Sequence, residues 1–198
     1  GQSSNVSGYN SAGYSTENSN VIDKFPFATD GNATDVGDLT LGRNAPAGQS
    51  STEFGYASGG NTPGPYSNVI DKFSFATDGN ATDVGDLTIA RTGPDGQSST
   101  TSGYTSGGLM PSAMVNTIDK FPFAADGNAT DVGDLTTQVR FSAGGQSSTT
   151  DGYTTGGYLQ PPATTRATID KFTFASDANA VGVGSLTQSR DLGAGQQV

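Results

Sequence analysis

Ile22-Asp23-Lys24-Phe25-Pro26-Phe27-Ala28, followed by Asp30-Gly31-Asn32-Ala33-Thr34-Asp35-Val36-Gly37-Asp38-Leu39-Thr40, is the stretch whose reading decides the fold. It returns at Ile70–Thr88, at Ile118–Thr136 and, altered, at Ile169–Thr187. All four lysines, Lys24, Lys72, Lys120 and Lys171, hold the same place in it. A second motif, Gly-Gln-Ser-Ser, begins at Gly1, Gly48, Gly96 and Gly145. The chain is therefore four copies of one unit of 47 to 50 residues, approximately 1–47, 48–95, 96–144 and 145–194, with a short tail at 195–198. A period of this length indicates a solenoid, a propeller or an array.

Within a unit the pattern is that of strands. In Thr117–Ala124, Asp119, Phe121 and Phe123 fall on one alternate set and Ile118, Lys120 and Pro122 on the other, the period of a strand. Pro122 donates no ladder hydrogen bond, which suggests an edge or a bulge. Asp126-Gly127-Asn128 reads as a tight turn, because Gly and Asn tolerate positive φ. Thr130–Thr136 is a second, shorter strand. Gly96–Thr101 and the Gly-Tyr segment at Gly103 supply two more. No helical period is visible. The expectation is one all-β repeat domain, 1–198, with four short strands per unit.

Composition narrows the function classes. Leu, Ile, Val and Phe make up about 17% of the 198 residues and the net charge is −10, a balance usually found in disordered chains. The apolar residues nevertheless fall at the same slots in every copy, which argues for a folded object with a thin core. Dense backbone pairing, close packing around small residues, or association with other chains must then contribute to stability. An acidic chain with nine basic residues is a poor partner for nucleic acid. No apolar run approaches the roughly 18 residues of a membrane span. Cysteine and histidine are absent, so neither a Ser-His-Asp nor a Cys-His arrangement can form. The repeated aspartates occupy like environments, whereas a glycosidase carboxylate pair needs unlike ones. A non-enzymatic protein is expected.

The unit resembles the kelch unit of β-propellers in length and in specific residues. The diglycines are Gly59-Gly60, Gly107-Gly108 and Gly156-Gly157, each preceded by a Gly-Tyr. The next strand supplies Phe25, Phe73, Phe121 and Phe172, and a basic residue follows the last strand at Arg43, Arg91, Arg140 and Arg190. Val36, Val84 and Val132 stand nearest the slot where kelch units carry tryptophan, and the first unit has Ala12-Gly13 for the diglycine. The wording IDKFPFA, ATDVGDLT and GQSS is also similar to repeat segments in tail-fibre and other structural proteins of marine bacteriophages, cyanophages especially. These resemblances imply a kelch-like β-propeller of four four-stranded blades, in a virion appendage or outside the cell. The alternative is an open or fibre-like β-repeat array. Gly195-Gln196-Gln197-Val198 takes the repeat slot of Gly1-Gln2-Ser3-Ser4. That leaves three options: one of them is a tail, the array continues, or chains join end to end.

Three sets of residues are candidates for a site. Asp30, Asn32 and Asp38, with Asp78, Asn80, Asp86 and Asp126, Asn128, Asp134, alternate oxygen ligands as a calcium loop does. Thr at position five, Asp at position six and no Glu at twelve depart from that loop, and the favoured reading is turn residues capping backbone N–H groups. Calcium is therefore a conditional cofactor, with no other cofactor expected. Asp23-Lys24, Asp71-Lys72, Asp119-Lys120 and Asp170-Lys171 are neighbours on a strand and point to opposite faces. Each is expected to meet its counterpart from the adjacent unit in a ring of salt bridges, or the lysines line a central ligand site. Third, the loops that differ among copies carry Tyr14, Tyr66, Met110, Tyr158, Leu159 and Arg166. A constant frame with variable loops is how repeat scaffolds build binding faces, and exposed tyrosines suit sugar or protein. Neutral drift in exposed loops produces the same variability. The expectation is recognition of a host surface glycan or protein. The alternative is a purely structural module that assembles with virion proteins, fibre proteins or copies of itself.

Overall fold

The computed structural model describes residues 1–136, 143–159, 164–193 and 195. Among them there is no helix, and so none long and apolar enough to cross a membrane. The first unit contributes β1 (Gln2–Ser3), β2 (Ser7–Tyr14), β3 (Asn18–Pro26) and β4 (Thr34–Asp38). The second contributes β5 (Ala47–Ser50), β6 (Phe54–Ser58), β7 (Val69–Ser74) and β8 (Thr82–Asp86). The third contributes β9 (Asp95–Ser98), β10 (Ser102–Ser106), β11 (Thr117–Pro122) and β12 (Thr130–Asp134). The fourth contributes β13 (Gly144–Ser147), β14 (Asp151–Thr155), β17 (Thr168–Thr173) and β18 (Val181–Ser185). A small hairpin, β15 (Tyr158–Leu159) with β16 (Thr164–Thr165), is inserted in its loop.

Each unit is one four-stranded antiparallel sheet with its strands in chain order. The chain is thus all-β, a succession of four such sheets. Register follows from the Gly-Tyr and IDKF motifs. Gly55 lies opposite Phe73, Gly103 opposite Phe121 and Gly152 opposite Phe172, and each ring lies across its glycine, where a Cβ would strike it. Between the last two strands the register slips at Ile70/Asp71, Ile118/Asp119 and Ile169/Asp170. Pro122 ends its strand, consistent with its missing N–H. Asp126-Gly127-Asn128 is not a tight turn: seven residues, 123–129, separate β11 from β12. Their backbone is used in contact with the neighbouring sheet.

The core lies between sheets rather than within one. Tyr9, Ile22 and Leu39 of the first sheet pack with Ala57, Phe73 and Ala81 of the second. Tyr56, Ile70 and Leu87 meet Phe121 and Ala129, and Tyr104, Ile118 and Leu135 meet Phe172 and Ala180. In each seam a tyrosine is tilted against one phenylalanine and stacked on another. Tyr56 is 5.4 Å from Phe121 and 4.9 Å from Phe123, centroid to centroid, distances at which aromatic pairs add to simple burial. Val36, Val84 and Val132 fill in beside these clusters, where tryptophan was missing from the sequence pattern.

The Gly-Gln-Ser-Ser motif builds the inner edge. β1 packs on β5, β5 on β9 and β9 on β13. The backbones approach so closely that a Cβ on Gly96 would collide with the Gly48 carbonyl, and one on Gly145 with that of Gly96. The glutamine crosses to the next sheet: Gln2 Nε2 donates to the Tyr56 carbonyl at 2.7 Å, and Gln49 Nε2 to that of Tyr104 at 3.0 Å. The first serine receives a neighbouring strand's N–H, as Ser98 Oγ does from Ser50. The second caps its own turn, as Ser51 Oγ does for Phe54.

Candidate binding face and the seams that hold it

An antiparallel meander sends alternate connections to opposite ends of its sheet. One end therefore carries the connections of constant length: the Ser-Ser turns after each first strand and the Asp-Gly-Asn segments, Asp177-Ala178-Asn179 in the fourth unit. The other carries every length-variable loop: the connections between second and third strands, and the linkers between units. The two variable sets are joined to each other. Asn44, in the first linker, bridges to Asn61 in the second unit's loop, and Thr92 bridges to Leu109 in the same way. Asn44 Nδ2 also donates to Asn18 Oδ1 at 2.6 Å, while Asn18 Nδ2 donates to the Asn61 carbonyl at 3.1 Å. Loops of the first three units thus form one connected face.

Tyr14, Tyr66 and Met110 lie on that face, and Tyr158, Leu159 and Arg166 stand at the same end of the fourth sheet. Tyr14 is open, at 70% exposure. Tyr66 and Met110 are half-buried, the former bridged to Asn61. Tyr158 and Leu159 are half-buried on the inserted hairpin, and Arg166 is exposed beside it. They are spread over four sheets rather than gathered in one pocket. Two hollows of about 250 and 570 Å³ are lined by residues of all four units, and neither includes any of the six.

The expected ring of Asp-Lys pairs does not form: lysines and strand aspartates take different partners, and the contacts span three seams without closing. Lys24 Nζ reaches Asp78 at 2.9 Å, Lys72 reaches Asp126, and Lys120 reaches Asp177 at 2.8 Å. These are turn aspartates of the following sheet. Lys171 has Asp151 of its own sheet at 4.0 Å. The strand aspartates take arginines instead. Arg43 Nη2 meets Asp71 Oδ2 at 2.7 Å and Arg91 Nη2 meets Asp119 Oδ2 at 2.9 Å, with all four side chains fully buried. Asp71 and Asp119 also accept from the backbone and hydroxyl of Thr40 and Thr88. Asp170 accepts from Thr136; Arg140 lies outside the described residues. Asp23 is half-buried and has no preceding sheet against it. The four lysines do not line a common ligand site.

The proposed calcium set is also absorbed by the seams. Asp78 and Asp126 are spent on lysines. Asn80 Oδ1 accepts the Asp38 N–H, and Asn128 Oδ1 the Asp86 N–H, each at 3.0 Å. Asp38, Asp86 and Asp134 return their carbonyls to Ala81, Ala129 and Ala180. Among the described residues no three His, Cys, Asp or Glu side chains are placed to hold a metal ion. The asparagines do cap backbone N–H groups, but across the seam rather than within a tight turn. Asp30 and Asn32 make no such contact among the described residues.

Electrostatics follow burial. The Arg43 and Arg91 guanidiniums are pushed below their ordinary value by desolvation, opposed by Asp71 and Asp119. The hydrogen bonds that Lys24 and Lys120 donate to Asp78 and Asp177 raise the two lysines. Burial of the Tyr56 phenol pushes it up to about 12. Sequence reasoning noted the arginine slot but missed its role. The signal was an arginine and an aspartate each constant among the copies in a chain with few charges, where a buried ion needs a partner.

No protein-family model matches the chain, and no curated protein is similar to it.

Proposed function

We propose that the chain is a non-enzymatic recognition module that binds a surface glycan or protein through its variable loops. The observation that carries this reading is the segregation of the two ends: all length-variable loops lie on one, and all constant turns on the other. Rigid sheets fix the positions of the loops, and loops on a rigid frame are where binding residues concentrate. The solvent-facing Tyr14 and the half-buried Tyr66 and Tyr158 supply flat apolar surface with a polar tip. We read the fold further as kelch-like: four sheets packed in series about their first strands support a reading as β-propeller blades, suited to an extracellular or virion appendage.

The test is binding of the purified protein to a panel of bacterial surface polysaccharides. Selective binding that falls at least tenfold in Tyr66→Ala and Tyr158→Ala, with unchanged melting temperature, is the expected result. Silence across the panel shifts weight to the structural reading, which the uncovered outer faces of the first and fourth sheets favour.

A further inference from the structure

Each seam between successive sheets uses one set of contacts, and the chain makes that set three times. The preceding sheet supplies a backbone N–H to an asparagine (Asp38 to Asn80, Asp86 to Asn128, Asp134 to Asn179). It supplies a threonine hydroxyl to the strand aspartate (Thr40 to Asp71, Thr88 to Asp119, Thr136 to Asp170). It also supplies a lysine to the turn aspartate, a glutamine to the inner edge, and a tyrosine to two phenylalanines.

A fourth set is present in two separated halves. The outer face of the fourth sheet carries the preceding half: Gln146, Tyr153, Lys171, Val183, Thr187 and Arg190. The outer face of the first sheet carries the following half: Asp23, Phe25, Phe27, Asp30 and Asn32. Phe25 is 40% exposed, whereas its equivalents Phe73, Phe121 and Phe172 are at most 4% exposed. Val183 is 50% exposed where Val36, Val84 and Val132 pack against a core cluster. Gln146 Oε1 is buried with no hydrogen-bond partner. It borders a hollow of about 440 Å³ lined also by Ile169, Leu186, Thr187 and Arg190. These are the equivalents of Ile22, Leu39 and Arg43, which are buried at the seam with the second sheet, and of Thr40, which donates across it to Asp71. The halves are complementary in charge, with Lys171 and Arg190 facing outward on one and Asp23 and Asp30 on the other.

We propose that a second copy of this chain docks its first sheet on the fourth sheet of another, so that the fourth seam forms between chains. Phe25 and Phe27 enter beside Tyr153 and Val183, Asp23 takes Arg190, and Asp30 takes Lys171. Asn10, standing where the second sheet has Ala57, brings an amide donor near Gln146 Oε1. Within one chain the two faces do not meet. Gly195 already lies on the Gly145 carbonyl, where a following unit's inner strand begins, and a hollow of about 570 Å³ lies between Phe25 and Phe27 on one side and Gly193 and Gly195 on the other. The incoming copy's β1 takes the Gly195 position, and that residue moves aside. Such an interface is heterologous, joining unlike faces, and it builds rings or open series of copies. It sets the variable-loop ends of successive copies side by side, and it stands independently of what those loops bind.

Sedimentation velocity of the 198-residue chain across a concentration series, with two variants, tests this. Phe27 is 56% exposed and Val183 50% exposed, so Phe27→Asp and Val183→Asp each spoil one face while sparing the internal seams. Wild type associates with rising concentration. Each variant alone loses association at least tenfold, and an equal mixture forms heterodimers that stop at two, because one intact face remains on each partner. A wild type that stays monomeric overturns the proposal. So do single variants that associate like wild type, and a mixture that stays monomeric.

Discussion

Arg43 of the first sheet and Asp71 of the second form an ion pair at 2.7 Å with both side chains wholly buried. The aspartate is also held by the N–H and hydroxyl of Thr40, and the guanidinium by the carbonyls of Ala57 and Val69 and the hydroxyl of Ser67. A buried pair of this kind contributes little over an apolar replacement, but removing one partner strands a charge. Asp71→Ala is expected to lose about 3–5 kcal/mol in urea unfolding, and Arg43→Met with Asp71→Leu to recover most of that. Equal losses in the single and double variants would show that the charge is not the source.

Phe73 and Phe25 are the same residue of the repeat in different surroundings. Phe73 is 3% exposed and Phe25 40%. Phe73→Ala is expected to lose about 3–5 kcal/mol. Phe25→Ala, measured at concentrations where the chain is monomeric, loses roughly 1–2 kcal/mol. Denaturant midpoints of the two variants side by side decide this.

Ala12 sits at φ 68°, where the later units have the first glycine of the diglycine. A side chain in the left-handed region costs about 1–2 kcal/mol, partly offset by the freedom glycine gains in the unfolded chain. Ala12→Gly should therefore raise stability by about 0.5–1 kcal/mol. Gly59→Ala should lower it by more than that, since its Cβ would lie 2.8 Å from the Arg91 carbonyl oxygen.

Alkaline pH should weaken the seams. Lys24 and Lys120 are raised above 10.5 by their aspartates. Their contribution is complete below that value and is lost as pH rises through the folded-state value. The Tyr56 phenol holds its proton up to about 12 when folded, against 10.0 ordinarily. The unfolded chain therefore gives up that proton first, and stability falls between pH 10 and about 12. Melting temperature should decline over that window, and less steeply in Tyr56→Phe. A flat profile in wild type would remove both groups from the account.

Much of the fold was legible because the chain states it four times. The β period in Thr117–Ala124 and the four strands of each repeat were readable without coordinates. Backbone geometry responds to residues close in sequence, so local pattern suffices for strands. The partners of Lys24 and Asp71 were not readable. Alternation places the two side chains on opposite faces, but which residue faces each depends on how one sheet is set against the next. Lys24 finds Asp78, 54 residues away, and Asp71 finds Arg43, 28 residues away.

The candidate calcium loop shows the same division. Its spacing suited an ion, yet the closeness of Asn80 to the Asp38 N–H, created only when two sheets stack, turns those oxygens into seam acceptors. The sequence by itself determined four equivalent all-β units with constant frames and variable loops. Only the tertiary structure decided that the units are not equivalent in surroundings. Stacking in one direction covers one face of every sheet but the first, and the opposite face of every sheet but the last, so four identical patterns leave Phe25 and Val183 exposed at the two ends.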